Sequence, residues 1–252
     1  MEPPYIILIG GATGIGTSSI ASELSAIYPV RGFQRTDSIR QVIRTVIGPL
    51  ARPELFESTY KAYENLDAVY VDPLSQESNV LNGHIHQSDI VMVGVDGSVA
   101  RDLKEGINSV YEGVHLLPGR FGQTSWYSRG LRVQFAQGFK HFGVVLLRYE
   151  DYADHIIELF IDIEDPDIHR KRFEQREIFS PTREAKKYLD NFDNIRMIRN
   201  YLVRSAKNNG IPIVQNDQGL TYAVKQCVDI ISEKTHGKFM PYRSIQPRES
   251  LN

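Results

Sequence analysis

The sequence predicts a three-layer α/β fold in which helices cover both faces of a parallel β-sheet. Short apolar segments alternate with longer amphipathic ones, the first apolar segment leads into a glycine-rich loop, and no repeat or linker divides the chain. Such alternation is typical of parallel sheets with crossover helices on both faces. We therefore predict one domain over residues 1–235, followed by a mobile tail over residues 236–252.

The strands are predicted from short apolar runs rich in β-branched residues. Residues 5–9 form a continuous apolar run between Pro4 and Gly10, as expected for a central parallel strand that is covered on both faces. Further strands are predicted at residues 32–35, 110–117, 156–163 and 211–214. Glu112 is an unusual residue within such a run, because burying an unpaired carboxylate is costly.

The helices are predicted from apolar residues that recur three or four positions apart. Ile20, Leu24 and Ile27 predict a helix directly after the glycine-rich loop. The same spacing predicts helices within residues 39–46, 98–109, 167–178, 195–205 and 220–231. Residues 48–82 suggest helical structure with interruptions, and residues 118–142 suggest a loop region.

The overall composition excludes several classes of function. The 31 acidic and 29 basic residues leave a formal net charge of -2, which offers no general attraction to nucleic acid or to an anionic membrane. No apolar run approaches the roughly 18 residues of a membrane span, and no signal-peptide pattern opens the chain. The single Cys227 is expected to be a buried thiol on a helix. We expect a cytoplasmic protein, and assembly into a homo-oligomer is left open.

The loop over residues 10–19 predicts a phosphate-binding site. Its glycines allow successive backbone N–H groups to converge on an anion, and the N-terminus of the following helix adds partial positive charge. Gly11 and Gly16 have the spacing of the motif G-x-x-x-x-G-K-[ST], but Thr17 occupies the lysine position. The candidate nucleotide-binding residues are Gly11, Gly14, Gly16, Thr17, Ser18 and Ser19.

Two other interpretations of this loop are open. Gly14 and Gly16 are also spaced as in dinucleotide-binding loops, although Ser19 stands where a third glycine or alanine is expected. Such a protein needs an acidic residue after the second strand, where Asp37 lies in roughly the right place. A purely structural glycine turn is the other alternative.

The segment after the second strand offers a candidate substrate site. Asp37 could accept a proton from an attacking hydroxyl group or help to orient magnesium, while Arg40 and Arg44, one helical turn apart, could hold a phosphate or carboxylate. The alternative is that Thr36 or Asp37 caps a helix and that the arginines lie on its solvated face.

Two further candidate residues, Glu112 and His115, lie in the predicted third strand. For Glu112, magnesium or a cationic partner explains a buried carboxylate better than chance. His115 is a candidate substrate-binding residue, but histidines in apolar surroundings commonly form a structural hydrogen bond, and both roles are open.

A basic segment follows the fourth strand. Arg170, Lys171, Arg172 and Arg176 lie close together, and the spacing of Arg172 and Arg176 places them on one face of a helix. In a phosphotransferase such a helix forms an arginine-bearing lid over the transferred group. The alternative is a solvated face balanced by nearby glutamates.

Taken together, these motifs resemble the archaeal 2-phosphoglycerate kinase family over roughly residues 5 to 230. The glycine loop and the arginines are general features of P-loop kinases, whereas two other segments are specific. These segments are EGVHLLPG at residues 112–119 and KYLDNF at residues 187–192.

The resemblance implies a P-loop fold and ATP-dependent, magnesium-dependent phosphorylation of 2-phosphoglycerate to 2,3-bisphosphoglycerate. By the same resemblance, the glycine loop would bind the ATP phosphates, and Ser18 and Glu112 would serve magnesium. Asp37 and Arg40 would face the acceptor, and Arg172 and Arg176 would close over the transferred phosphoryl group.

Thr17 leaves two hypotheses open, because the lysine that it replaces stabilises charge during phosphoryl transfer. In the first, the protein is an active kinase in which Lys104, Lys171 or a lid arginine supplies the missing charge. In the second, it is a degenerate P-loop protein that binds a nucleotide or an anionic metabolite for regulation, without catalysis.

Overall fold

The computed structural model describes residues 3–120, 149–179 and 184–242. Within these residues, one parallel sheet has the strand order β2-β3-β1-β4-β5. Its strands are β1 (Ile6–Gly10), β2 (Gly32–Arg35), β3 (Ser109–Gly113), β4 (Ile156–Asp162) and β5 (Ile213–Gln215). The predicted α/β class with a parallel sheet is confirmed.

Helices connect the strands. They are α1 (Thr17–Ile27), α2 (Thr36–Val46), α3 (Gln76–Glu105), α4 (Pro166–Phe179), α5 (Ala185–Leu189), α6 (Phe192–Asn208) and α7 (Leu220–Lys234). Short 3-10 turns occupy Pro53–Phe56, Ala62–Asn65, Ala68–Tyr70 and Tyr149–His155. None of the described helices has both the length and the apolar character needed to cross a membrane.

The alternating side chains of β1 explain why the fold has three layers. Ile7 and Ile9 pack with α1 and α7 on one face of the sheet. Ile6 and Leu8 point to the other face and pack with α3, while α6 covers Phe160 of β4 on that same side. Successive side chains of a strand point to opposite faces, so an uninterrupted apolar run is buried on both.

Helix α3 is much longer than the helix predicted from residue 98. It spans 30 residues, begins where the Ser75 hydroxyl accepts a hydrogen bond from the Ser78 N–H, and ends at Gly106, whose φ is 69°. The helix predictions left out residues 83–97, because buried polar residues interrupt the apolar spacing there. These residues are His84, Gln87 and Ser88.

Two local predictions around the sheet edge are also wrong. Strand β3 ends at Gly113 rather than at residue 117, because Gly113 has a φ of 141° and the chain then turns. Helix α2 has Arg35 at its N-cap position without a side-chain cap, so neither Thr36 nor Asp37 caps it. Asp37 lies instead in the first helical turn, where a carboxylate interacts favourably with the helix dipole.

The C-terminal part of the described chain packs against the domain. Cys227 is buried on α7, as predicted, and burial raises the pKa of its thiol to about 12. Beyond residue 235, Phe239 is buried and stacks on Tyr5 and Tyr28 at centroid distances of 4.6 and 4.8 Å. The predicted tail thus begins with residues that join the core, and residues 243–252 lie outside the described residues.

Candidate active site

Parallel strands bring the candidate residues to one edge of the sheet. The glycine loop leaves the carboxyl end of β1, and Arg35 ends β2. Glu112 lies between them near the end of β3, in register with Ile9 on one side and Arg35 on the other. Residues that are far apart in sequence therefore meet beside the loop, at the edge where open α/β sheets bind ligands.

The strand order settles one alternative for the loop. In dinucleotide-binding folds β2 lies next to β1, which brings its terminal acidic residue to the cofactor. Here β3 separates β1 from β2. Asp37 therefore does not take that position, and the dinucleotide-binding interpretation is wrong.

The glycine loop is a tight cradle that requires its glycines. Gly14 and Gly16 have φ values of 90° and 97°, which side-chain-bearing residues rarely adopt. A Cβ on Gly11 would lie 3.0 Å from the Ile161 carbonyl oxygen, and one on Gly16 would lie 2.6 Å from the Asn216 amide nitrogen. The carbonyl of Gly16 accepts the first hydrogen bonds of α1, so the helix N-terminus opens directly onto the loop.

Two buried side chains hold the loop from outside. The Nε2–H of His169 on α4 donates to the Thr13 carbonyl at 2.9 Å, and the Asn216 side-chain amide donates to the Ile15 carbonyl at 2.7 Å. Burial lowers the pKa of His169 to about 4, although the bond to Thr13 opposes this shift. Sequence reasoning missed both residues; the position of Asn216 just after β5, at the ligand-binding edge, was the available signal.

Glu112 is the buried centre of the site. Only 4% of its surface is exposed. The Thr17 hydroxyl donates to its Oε2 at 2.9 Å, and the Ser18 hydroxyl donates to its Oε1 at 2.8 Å. Burial is the largest influence on the pKa of Glu112 and raises it. The two hydroxyl donors and Arg35, whose Nε lies 3.6 Å from Oε1, oppose part of this rise. Arg35 was not predicted, although it is a basic residue at the end of a strand.

The donor set beside the loop fits magnesium. A serine hydroxyl next to the phosphate-binding loop and a carboxylate from a neighbouring strand are the protein groups that P-loop enzymes use for this ion. The described residues contain no cluster of three or more His, Cys, Asp or Glu side chains around one point. Magnesium usually keeps several waters and binds substrate phosphates, so it needs few protein ligands.

Arg40 lies in a buried polar network beyond Glu112. Its Nη1 donates to the Glu57 carbonyl at 3.0 Å and to Oε1 of Gln87 at 3.3 Å, while Nη2 lies 3.6 Å from Oδ1 of Asp37. Burial lowers the pKa of Arg40; Asp37 opposes that shift and Arg44 adds to it. Asp37 is 72% exposed and lies at the rim. Arg44 lies beside the ring of Phe56, 5.8 Å from its centroid.

His115 lies behind this network rather than at its surface. It is fully buried, with Nε2 3.1 Å from Oε1 of Gln87 and Nδ1 2.9 Å from Oγ1 of Thr36. Because an amide oxygen can only accept, Nε2 carries the hydrogen and the Thr36 hydroxyl donates to Nδ1. Burial, together with the charge of Arg40, keeps its pKa well below the usual range. A direct substrate contact would require exchanging one of these bonds, so the geometry matches the structural alternative.

Arg172 and Arg176, the arginines of the predicted lid, contact different partners. Arg172 donates to the Asn216 carbonyl at 3.0 Å, next to the glycine loop. The guanidinium of Arg176 lies 5.7 Å from the centroid of the Tyr188 ring, and that ring stacks on Phe173 at 4.9 Å. Helix α4 therefore directs Arg172 towards the glycine loop and Arg176 towards α5.

The residues predicted to supply the charge of the missing lysine lie at different distances from the glycine loop. Lys104 lies at the end of α3 beside Asp102, whose carboxylate binds the hydroxyl of Ser109 at the start of β3. This is the sheet edge opposite the loop, roughly 13 Å away along the strand. Lys104 therefore cannot supply the charge, and that suggestion is wrong.

The two candidate cations on α4, Lys171 and Arg172, also differ in whether they reach the glycine loop. Lys171 is exposed and stands two positions from His169, on a different side of the helix. Arg172 reaches the loop through Asn216. Arg35, beside Glu112, is a further cation at the site that sequence reasoning overlooked.

Gly14→Ala is expected to lower the free energy of unfolding by about 2 to 4 kcal/mol, because a positive φ and contact with the Phe173 ring both oppose a Cβ. Urea denaturation measures the change. The matched control is Gly97→Ala: Gly97 is exposed within α3, with open space around a new Cβ, so this variant should gain about 1 kcal/mol. Equal effects of the two substitutions would contradict the described loop geometry.

Comparison with known proteins agrees with these features. No family model matches the chain. The chain is 33% identical over 234 residues to 2-phosphoglycerate kinase of Methanopyrus kandleri, covering 92% of this chain and 62% of that protein. It is also 33% identical over 233 residues to the enzyme of that name from Methanocaldococcus jannaschii, covering 92% and 64%.

Among solved structures, thymidylate kinase from Candida albicans aligns over 97% of both chains with a TM-score of 0.45 and 15% identity.

The chain spans less than two thirds of the length of the two archaeal proteins. The resemblance inferred from the sequence is confirmed over the matched region: the chain is a relative of the archaeal 2-phosphoglycerate kinases.

Proposed function

We propose that this chain transfers the γ-phosphoryl group of ATP to the free hydroxyl of 2-phosphoglycerate, giving ADP and 2,3-bisphosphoglycerate. The observation that carries the proposal is the Ser18–Glu112 pair beside the glycine loop, on the same sheet edge as the half-buried Arg40. Sequence similarity to proteins named 2-phosphoglycerate kinase supports the choice of acceptor.

The nucleotide side of the reaction falls to the loop and to α4. Backbone N–H groups around Gly14 and Gly16, together with the N-terminus of α1, offer hydrogen-bond donors and partial positive charge to the phosphates. Arg172 and Arg176 lie on the neighbouring helix, where a small movement of α4 would direct them to the transferred group.

Ser18 and Glu112 would hold magnesium, which when bound would neutralise charge on the phosphates. The two side chains already face each other at 2.8 Å. Glu112 is held in place by Thr17 and Arg35 as well, so its carboxylate is oriented before a ligand arrives. Such preorganisation is the main contribution that a protein makes to phosphoryl transfer.

The acceptor side falls to Arg40 and Asp37. A guanidinium that has lost most of its water is stabilised by an anion, and 2-phosphoglycerate offers both a phosphate and a carboxylate. Arg44 adds positive charge one helical turn away. Asp37, exposed at the rim and 3.6 Å from Arg40, is placed to accept the proton of the attacking hydroxyl.

The alternative is nucleotide or metabolite binding without catalysis, and Thr17 is the observation that favours it. In a P-loop, lysine places positive charge at the β- and γ-phosphates, whereas the Thr17 hydroxyl is bonded to Glu112. The retained Glu112, Ser18, Asp37 and Arg40 favour catalysis, because binding alone would not need both a metal site and a base.

Incubation with ATP, magnesium and 2-phosphoglycerate should yield ADP and 2,3-bisphosphoglycerate, which ³¹P NMR resolves. Arg40→Met should raise KM for 2-phosphoglycerate about 10- to 100-fold with little change in KM for ATP, because it removes a charged hydrogen-bond donor from the acceptor only. Arg101→Met is the control, since Arg101 is exposed and pairs with Glu105 on α3.

Absence of product from 2-phosphoglycerate and from other phosphorylated hydroxy acids, in a protein that still binds ATP, would overturn the kinase proposal. The non-catalytic alternative would then stand. A wild-type rate in Arg40→Met would instead remove Arg40 from the acceptor site.

A further inference from the structure

We propose that His169 and Asn216 are positioning residues that turn two peptide groups of the glycine loop, so that the N–H groups of Gly14 and Gly16 point at a bound phosphate. The inference deepens the proposed function and rests on it, because it assumes that the loop receives the phosphates of a nucleotide. Neither residue belongs to the motif that predicts the loop, and each comes from a distant part of the chain.

The argument begins with the geometry of a trans peptide, in which C=O and N–H point in opposite directions. His169 binds the Thr13 carbonyl from the α4 side at 2.9 Å. The N–H of the same peptide group belongs to Gly14 and must point away from His169. Fixing the carbonyl outside the loop thus directs the Gly14 N–H towards its interior.

The same reasoning applies two residues later. Asn216 binds the Ile15 carbonyl at 2.7 Å, and the N–H of that peptide group belongs to Gly16. The carbonyls of Thr13 and Ile15 are therefore held on the outside of the glycine loop, and the N–H groups of Gly14 and Gly16 are directed to its interior. Successive N–H groups that converge in this way form an anion-binding concavity.

Both donors are rigid before a ligand arrives. His169 is fully buried between the rings of Phe173 and Phe192, each with a centroid distance of 5.2 Å. Asn216 is 1% exposed; its own backbone N–H donates to Asp162 and its carbonyl accepts from Arg172. Donors that are already oriented lose less free energy on binding than groups that must reorganise.

The ring of His169 stays neutral and keeps its Nε2 hydrogen at physiological pH. A carbonyl can only accept, so the bond to Thr13 identifies Nε2 as the protonated nitrogen. Burial among apolar rings opposes a second proton. The contribution to binding is therefore one of direction, without added positive charge.

The test uses ¹⁵N-labelled protein and inorganic tripolyphosphate as the probe. His169→Phe keeps an aromatic ring but removes the donor, His169→Gln keeps a donor of similar reach, and Asn216→Leu removes the other donor at similar size. Isothermal titration should show about 10-fold weaker binding for His169→Phe and for Asn216→Leu, since each misdirects one hydrogen bond to a charged group. His169→Gln should recover most of the affinity.

The amide spectra separate positioning from general stabilisation. In His169→Phe, tripolyphosphate should no longer shift the Gly14 amide but should still shift that of Gly16, and Asn216→Leu should show the reverse. Asn194→Leu is the matched control, because it breaks an asparagine-to-carbonyl bond at Tyr60, away from the loop. That variant should bind tripolyphosphate as the wild type does.

Two results would overturn the inference: wild-type affinity and shifts in folded variants, or equal loss of both glycine shifts in either variant. Thermal unfolding of each variant establishes that it is folded. These failures differ from failure of the proposed function. A wild-type protein that binds tripolyphosphate at both amides but transfers no phosphate refutes the kinase, and the variant spectra then decide the positioning roles; one that does not bind it refutes both.

Discussion

Glu112→Gln is expected to lower kcat for phosphoryl transfer by about 10²- to 10³-fold. The carboxylate would lose the negative charge that serves magnesium, while its hydroxyl partners Thr17 and Ser18 would remain. Magnesium-dependent binding of ATP should weaken in parallel, and binding measured without magnesium should change little. Steady-state kinetics and titrations over a magnesium series measure both effects.

The same substitution should leave the ligand-free protein at least as stable as the wild type at pH 7. Burial raises the pKa of Glu112 above its unfolded value, so the folded state holds the charged form at a cost. As pH falls through the raised pKa, the wild type gains a proton in the folded state and the cost disappears. The stability advantage of Glu112→Gln should therefore be greatest at neutral pH and vanish in acid.

Asp102→Asn is a matched control for this prediction. Asp102 is also a buried carboxylate that accepts from two hydroxyls, those of Ser109 and Tyr111 at 2.6 and 2.7 Å, but at the opposite sheet edge. Its substitution should leave the magnesium dependence unchanged. Gross unfolding of Glu112→Gln with unchanged magnesium dependence in its folded fraction would return Glu112 to a structural role.

Thr17→Lys is expected to raise kcat by up to about 10²-fold, because restoring one preorganised charge at the phosphates reverses a loss of that size. Thr17 is half-buried at the first position of α1, and its methyl group faces Gly11. A lysine there needs no new backbone geometry. The effect should be larger on kcat than on KM for ATP.

Two controls for Thr17→Lys test whether added charge alone has an effect and whether another residue already supplies that charge. Ser22→Lys adds the same charge at an exposed position of α1, farther along the helix, and should leave kcat unchanged. If Arg35 or Arg172 already supplies the charge, Thr17→Lys should lower kcat, and removing that arginine alone should nearly abolish turnover. A protein with no turnover before or after the change, yet able to bind ATP, would refute the enzyme proposal.

Local sequence patterns determined the elements that carry the site. An apolar run predicts β1 because both faces of a central strand are buried, and the glycines predict a loop that only positive φ values can form. Glu112 was identified because a carboxylate inside an apolar strand needs a partner. These arguments use neighbours in sequence and the cost of burial, which do not depend on how the elements are arranged.

The strand order, by contrast, was decided by tertiary structure, and so were the partners of each side chain. The order places β3 between β1 and β2, which brings Glu112 to Arg35 and Ser18 and leaves Lys104 at the far edge. His169 and Asn216 both contact the glycine loop, and they do so across 156 and 201 positions of sequence. Periodicity describes how an element presents its faces, but it carries no information on which distant element will cover them, because that depends on the packing of all the layers together.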